Sequence, residues 1–274
     1  MSFNYEQSIW GKGYASPAVT SPTGFRLRQA LRAAASLPGG SMVLEIGCGA
    51  GQFIRTIKKM RPDLDCYGCD ISATAIEAAR KMPDGVVYDQ SGAVMPYPNS
   101  SFDAVFIFDV LEHVDDAAGL TLEVRRILKT GGIFYSFVPC EGDWLSLWRW
   151  CRSIGWKGDL TKKYAGHINY FSRRSLRRLY AENGFKQIRF NYSEHLLGQL
   201  LGIAAFILMD RAARRCGVKQ INGEEYFESL NLTMAPKGLF MRLKGFVNAL
   251  VFWESSLFSR LPSPNVHCVA KKLI

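Results

Sequence analysis

Apolar residues arrive in two rhythms along the first half of the chain. Short, nearly unbroken runs predict strands buried on both faces: MVLEIG (42–47), DCYGCDIS (65–72), GVVYDQ (85–90), FDAVFIFDV (102–110) and GGIFYSFVP (131–139). Between them, QFIRTIKKM (52–60), ATAIEAARKM (73–82) and AAGLTLEVRRILK (117–129) space apolar residues three and four apart, which is the helical rhythm. A further helix, FRLRQALRAAASL (25–37), stops at Pro38-Gly39-Gly40, and Ser72 stands where an N-cap belongs. Strand–helix alternation of this kind predicts an α/β doubly wound domain, a mainly parallel sheet with helices on both faces. Its ligand is then expected beyond the carboxyl ends of the strands, where the strand order reverses.

After residue 140 the texture changes. WLSLWRWCRSIGW (144–156) is rich in tryptophan, with Trp144 and Trp148 expected one helical turn apart. SRRSLRRLYAENGF (172–185) predicts a helix with a basic face that ends at Gly184, followed by a strand, KQIRFNYS (186–193). LLGQLLGIAAFILM (196–209) is apolar nearly all round, but at 14 residues and with Gln199 inside it is too short to span a bilayer. From 239 to 261 Leu239, Leu243, Phe246, Leu250, Trp253, Leu257 and Leu261 form an amphipathic stripe, and NVHCVAKKL (265–273) reads as a last strand. Residues 1–24 show no periodicity and read as an irregular leader.

Charge sharpens this division. The chain of 274 residues carries a net +10, yet residues 1–139 hold 13 basic against 14 acidic residues and residues 140–274 hold 21 against 10. The whole positive excess therefore lies in the second half, which suits an anionic partner: a membrane surface, a nucleic acid or an acidic substrate. Seven scattered cysteines, with no secretory signal, read as reduced thiols of a cytoplasmic protein, and Cys66–Cys69 lacks the second pair or nearby histidines of a zinc site, so no metal is expected there.

The chemistry is concentrated at VLEIGCGAGQF (43–53). Gly47, Gly49 and Gly51 remove side chains from the turn after the first strand, which either lets a ligand approach the main chain or serves strand–helix packing. Asp70, ending the next strand, stands where an acid accepts hydrogen bonds from both hydroxyls of a ribose. The turn is not G-x-G-x-x-G, and Glu45 precedes it. In these features VLEIGCGAGQF resembles the first motif of class I S-adenosylmethionine-dependent methyltransferases. YGCDIS, MPYPNSSFDAVF (95–106), DVLEHV (109–114) and RRILKTGGIF (125–134) are similar to that family's later motifs, in its order. HINYFSRRSLRRLYAENGF (167–185) resembles a segment of the quinone-methyltransferase-like branch.

The resemblance implies a Rossmann-like sheet of seven strands with an antiparallel last strand, and S-adenosyl-L-methionine as the cofactor. Glu45 and the backbone at Gly47 and Gly49 would hold the methionine part, with Gly51 in the same cofactor-binding turn; Asp70 would take the ribose, Ile71 and Ser91-Gly92 the adenine, and Phe108 and Asp109 would lie near the methionine. Ser91 stands where the family usually has an acid, with Asp89 as the alternative, and Thr130 replaces the usual proline.

A proton acceptor for an oxygen nucleophile must sit beside the donor methyl. His113, at the end of the fourth strand, and His167, from the C-terminal part, are the candidates, each with a purely structural role as the alternative. The domain is expected to comprise residues 25–193 and 265–274, with 194–264 inserted as a lid, a homodimer interface or a membrane-docking element. The expected activity is methyl transfer to a small-molecule or lipid-linked acceptor, such as a quinone precursor or a polyprenyl-linked glycan, at an anionic membrane surface. The alternatives are a catalytically silent cofactor-binding partner subunit and a nucleic-acid methyltransferase; the latter accounts for the charge but not for the apolar helices.

Overall fold

The structure, a computed structural model, describes residues 11, 15–92, 94–156, 159–216 and 237–273. Its helices are α1 (Pro22–Ala34), α2 (Gln52–Met60), α3 (Ala73–Arg80), α4 (Ala117–Ile127), α5 (Leu147–Ser153), α6 (Leu160–Tyr164), α7 (Arg173–Glu182), α8 (Leu196–Cys216) and α9 (Lys237–Phe258). The strands are β1 (Met42–Ile46), β2 (Asp65–Asp70), β3 (Val87–Gln90), β4 (Phe102–Phe108), β5 (Leu128–Pro139), β6 (Phe185–Ser193) and β7 (Asn265–Lys272). They form one seven-stranded sheet in the order β3-β2-β1-β4-β5-β7-β6. β1 to β5 pair in parallel, and β7 runs antiparallel between β5 and β6. This is the seven-stranded α/β architecture that the strand–helix rhythm and the motif order anticipate.

The unbroken apolar runs are explained by their burial. β4 pairs with β1 and β5 at once and hides every residue but Asp103. One face of the sheet, through Val43, Ala104, Phe106 and Tyr135, packs on α1, α2 and α3 by way of Leu27, Ile54, Ile57 and Ile76. The other, through Leu44, Val105, Ile107 and Phe134, packs on α4 and α7 by way of Leu120, Val124, Leu176 and Tyr180. Ser72 caps α3 as expected, accepting from the Ala75 amide. The strand order reverses between β1 and β4, so the Gly47 turn and the Asp109 turn leave the sheet side by side.

Two expectations change, and a third feature, the direction of the 239–261 stripe, becomes visible. Trp144 lies in a turn before α5 and does not share a helix with Trp148. α8 continues well past the apolar run, and Leu196–Arg215, 20 residues with mean hydropathy 1.5, is long and apolar enough to cross a membrane by length and composition. The stripe along α9 faces outward: Leu243, Phe246, Leu250, Trp253, Leu257 and the following Leu261 are exposed, while Val251, Phe252 and Ser255 are the buried side. That buried side is anchored. Phe252 meets Phe25 of α1 edge-on with centroids 6.0 Å apart, and Glu254 accepts from the Leu197 and Gly198 amides at the start of α8. α8 in turn joins the tryptophan segment, Phe206 packing edge-on against Trp148 and Asp210 accepting from the Tyr164 hydroxyl at 2.8 Å. Most of the leader and residues 217–236 lie outside the described residues.

Candidate active site

The turn after β1 is built on three left-handed glycines, Gly47, Gly49 and Gly51, with φ of 72°, 53° and 88°. The space freed at two of them is occupied by the protein itself. A Cβ on Gly47 would fall 2.4 Å from Val110 Cγ2, and one on Gly51 would fall 2.4 Å from the Tyr88 hydroxyl. These two glycines therefore let the loop after β4 and strand β3 close against the turn. The packing role and the ligand role of the motif coexist in one turn.

Two acids converge there. Asp70 accepts from the Gly49 amide at 2.7 Å and from the Ser72 amide at 2.9 Å, so it is held at the mouth of the turn with a fixed orientation. Glu45 is buried and accepts from the Ile54 amide, in the first turn of α2, at 2.7 Å. Burial pushes its carboxyl well above the ordinary range; the Ile54 amide pulls it down, and the Asp70 charge pushes it further up. A positive charge placed near the two acids would offset the cost of Glu45's burial and of their mutual repulsion. Ile71, an apolar side chain 63% exposed directly after Asp70, offers a surface for a flat ring. Ser91 is tied into its own loop, its hydroxyl 3.3 Å from the Val94 carbonyl, and its amide donates to the Asp70 carbonyl at 2.9 Å. Gly92 has open space where a Cβ would be, whereas Asp89 accepts from the Tyr97 hydroxyl and is committed to that contact.

The end of β4 forms the second wall. Phe108 stacks on Phe53 of α2 with centroids 4.1 Å apart. Asp109 adopts φ 51°, a conformation that costs a non-glycine residue and that concentrates at functional turns. It accepts from Arg26 Nη1 at 2.7 Å, and Arg26 also reaches Glu194 at 3.1 Å and lies over the Phe137 ring. Arg26 thus ties α1, β4, β5 and the segment after β6 together at the site.

Beyond Asp109 the chain turns through Val110, which fills the Gly47 space, to Glu112 and His113. His167 arrives from the loop after α6, and the two imidazoles meet edge-on with centroids 5.0 Å apart. His113 Nδ1 lies 3.3 Å from the Gly166 carbonyl, which can only accept, so this nitrogen carries the proton. His167 Nδ1 lies 3.0 Å from Glu141 Oε1, and Glu141 is itself held by Arg152 and Thr161. The two histidines titrate apart. Burial, then the charge of His167, pushes His113 down to about 4. Burial lowers His167 as well, but Glu141 more than offsets it and the group ends above its usual value. Glu112 is wholly buried, which raises its carboxyl, with the Asp109 charge raising it further. Sequence reasoning placed His113 and His167 at the site separately; the fold brings them into contact. It missed Glu112, Glu141 and Arg26. Glu112 had a signal, its position beside His113 at the end of a strand, while Arg26 and Glu141 depend on contacts across the fold.

The described cysteine side chains form no disulfide, and all but Cys151 are buried.

A family profile described as a methyltransferase domain matches residues 25–189. Among curated proteins, the chain is 34% identical over 101 residues to a sterol 24-C-methyltransferase of Gibberella zeae, covering 35% of this chain and 27% of that protein. It is 32% identical over 110 residues to the ubiquinone/menaquinone biosynthesis C-methyltransferase UbiE of Desulfotalea psychrophila, covering 39% of this chain and 45% of that protein. The chain thus spans less than half the length of these curated relatives. Among solved structures, Haemonchus contortus phosphoethanolamine N-methyltransferase 2, in complex with S-adenosyl-L-methionine, shares the fold with a TM-score of 0.54 at 18% identity, over 90% of this chain and 52% of that one. The glycine turn, the acid that ends β2, the seven-stranded sheet and the matched profile agree: the chain belongs to the class I S-adenosylmethionine-dependent methyltransferases.

Proposed function

We propose that the chain transfers the methyl group of S-adenosylmethionine to a hydroxyl oxygen of a small, lipid-soluble acceptor while docked on an anionic membrane surface. A quinone precursor or a polyprenyl-linked glycan has the required chemistry. One observation supports the reading: Glu112, His113 and His167 come together in the loops just beyond β4, and Val110, two residues before Glu112, fills the space at the Gly47 turn, so groups able to handle a proton lie at the same edge of the sheet as the proposed cofactor turn. A carbon nucleophile asks less of such groups; an oxygen nucleophile must lose its proton. Glu45 with the Gly47 and Gly49 backbone takes the methionine part, Asp70 the ribose, and Ile71 with Ser91 and Gly92 the adenine. Both curated relatives are named C-methyltransferases of sterol or quinone chemistry, which supports an apolar acceptor; the histidine cluster is the reason for choosing oxygen here.

The membrane part of the proposal rests on the outward stripe of α9, on exposed Trp144, Trp150 and Ile154, and on the basic excess after residue 140. Beside Trp144 an open cleft of about 640 Å³ is lined by Arg149, Arg174, Arg177, Phe190 and Tyr192, together with the Asp143–Arg173 ion pair, so its unneutralised charge is basic and suits headgroup phosphates. The protein is expected to co-sediment with anionic vesicles at low salt and to be released at high salt, and replacing Leu243, Phe246 and Trp253 together by glutamate should abolish pelleting. Protein that stays in the supernatant at low salt removes the membrane proposal. The acceptor is tested with methyl-labelled S-adenosylmethionine and cell extract: label is expected in the organic phase, and label confined to the aqueous phase contradicts a lipid-soluble acceptor.

A further inference from the structure

Glu112 is the least explained side chain of the site. Its carboxylate is 0% exposed, and neither oxygen has a hydrogen-bond partner among the described residues. Its nearest candidate partner, His113 Nε2, is 3.9 Å from Oε1, beyond hydrogen-bond length. The Glu112 carbonyl accepts from the Ile168 and Asn169 amides at 2.8 and 3.0 Å, so this loop is tied to the 167–169 segment through its backbone rather than through the side chain. A buried carboxyl with no partner is unusual, and it is met either by keeping its proton or by a cation that takes the place of the missing donors.

The surroundings indicate what compensates it. One donor atom each of Glu112, His113 and His167 lie within 4.8 Å of one another. Ligand atoms around a single transition-metal ion sit roughly 3–4 Å apart, given bonds of about 2.1 Å, so these three side chains need only small rotations to close on one. Each imidazole has its Nδ1 directed at an acceptor outside the cluster, Gly166 O for His113 and Glu141 Oε1 for His167. That is how ligating histidines are oriented: one nitrogen is fixed by a carbonyl or carboxylate, which aims the other and raises its basicity. Glu141, pinned by Arg152 at 2.9 Å and Thr161 at 2.8 Å, is a rigid anchor for this purpose.

We propose that Glu112, His113 and His167 bind one divalent cation, on which the acceptor hydroxyl is activated. Two imidazoles and one carboxylate are neither the all-oxygen set of calcium nor the thiolate set of structural zinc; they suit Zn²⁺, Mn²⁺ and their first-row neighbours, and three protein ligands leave positions open. The cation's role toward the acceptor rests on the proposed oxygen methylation; its binding does not. With the cation bound, the three side chains ease loss of the acceptor's proton as the cation's ligands rather than by taking the proton themselves: the coordinated hydroxyl gives its proton to water, and the oxygen lone pair forms the new C–O bond to the methyl carbon. The C–S bond breaks with its electron pair going to sulfur, so the sulfonium becomes the neutral thioether of S-adenosylhomocysteine.

The test uses the whole chain, stripped with a chelator. Mn²⁺ is titrated with the free aqua ion followed by electron paramagnetic resonance, and Zn²⁺ is titrated by calorimetry. One ion per chain is expected with either probe. Glu112→Gln, which keeps the shape and removes the charge, should weaken binding by more than about tenfold, as should His167→Ala. Glu112→Gln should still bind S-adenosylhomocysteine and melt cooperatively, which separates lost ligation from lost fold. No stoichiometric binding of either cation at millimolar concentration overturns the proposal, as does unchanged affinity in a folded Glu112→Gln variant. Failure of the wild type to bind S-adenosylhomocysteine strikes the cofactor reading instead and leaves the cation result to stand by itself.

Discussion

Asp70→Ala is expected to weaken S-adenosylmethionine binding by about 100-fold, the effect of losing two charge-assisted hydrogen bonds to the ribose. The structure adds a second reason. Asp70 already accepts from the Gly49 and Ser72 amides, so it fixes the turn before the cofactor arrives. Its removal costs ligand contacts and preorganisation together. Asp70→Asn keeps an oxygen acceptor and should lose only about tenfold, since the charge rather than the shape is removed. Isothermal titration of the three proteins with S-adenosylmethionine measures this. An Asp70→Ala affinity within a few-fold of wild type contradicts the ribose assignment.

Asp84→Ala is expected to be the most damaging single change to stability outside the sheet. Arg55 and Asp84 form an ion pair at 2.7 Å with side chains 1% and 2% exposed. Arg55 also donates to the Ala50 carbonyl inside the glycine turn, and Asp84 accepts from the Tyr88 hydroxyl, the group that fills the space beside Gly51. Removing the aspartate leaves a guanidinium charge buried beside the turn, which costs about 3–5 kcal/mol. In a chain of this size the melting temperature should fall by roughly 10 °C. Arg55→Met combined with Asp84→Ala takes away both charges and should recover part of the loss. Thermal unfolding followed by circular dichroism gives the comparison. A drop below about 1 kcal/mol in the single variant would show that the pair is not what backs the turn.

The strands and the order of the motifs were legible because burial on both faces of a parallel sheet leaves a local trace, as in FDAVFIFDV. Glu45 was singled out by its place in a motif that resembles the family's first one, and Asp70 by its position at the end of the second strand. What stayed hidden depends on distant partners. Arg26 is one charge in a basic helix until Asp109 and Glu194 come to it, and Arg55 looks like an exposed position of α2 until Asp84 folds beneath it. Gly51 invited a ligand-based explanation although Tyr88 occupies its space, because no sequence pattern records which aromatic ring will lie across a turn. The 239–261 stripe was read as the apolar face of an amphipathic helix, but periodicity does not say which side meets the core, and the side that does is apolar too. Phe252 and Val251, off the stripe, are the buried residues. The histidines were found by position, yet their contact with each other and with an unpartnered Glu112 belongs to the fold alone.

The central claim is that the Glu45–Gly49–Asp70 cradle holds S-adenosylmethionine. Calorimetric titration of the wild-type chain with S-adenosylmethionine at neutral pH tests it most directly. One site per chain is expected, with a dissociation constant of about 1–100 µM, the range usual for enzyme ligands. No heat and no thermal stabilisation at millimolar S-adenosylmethionine would contradict it.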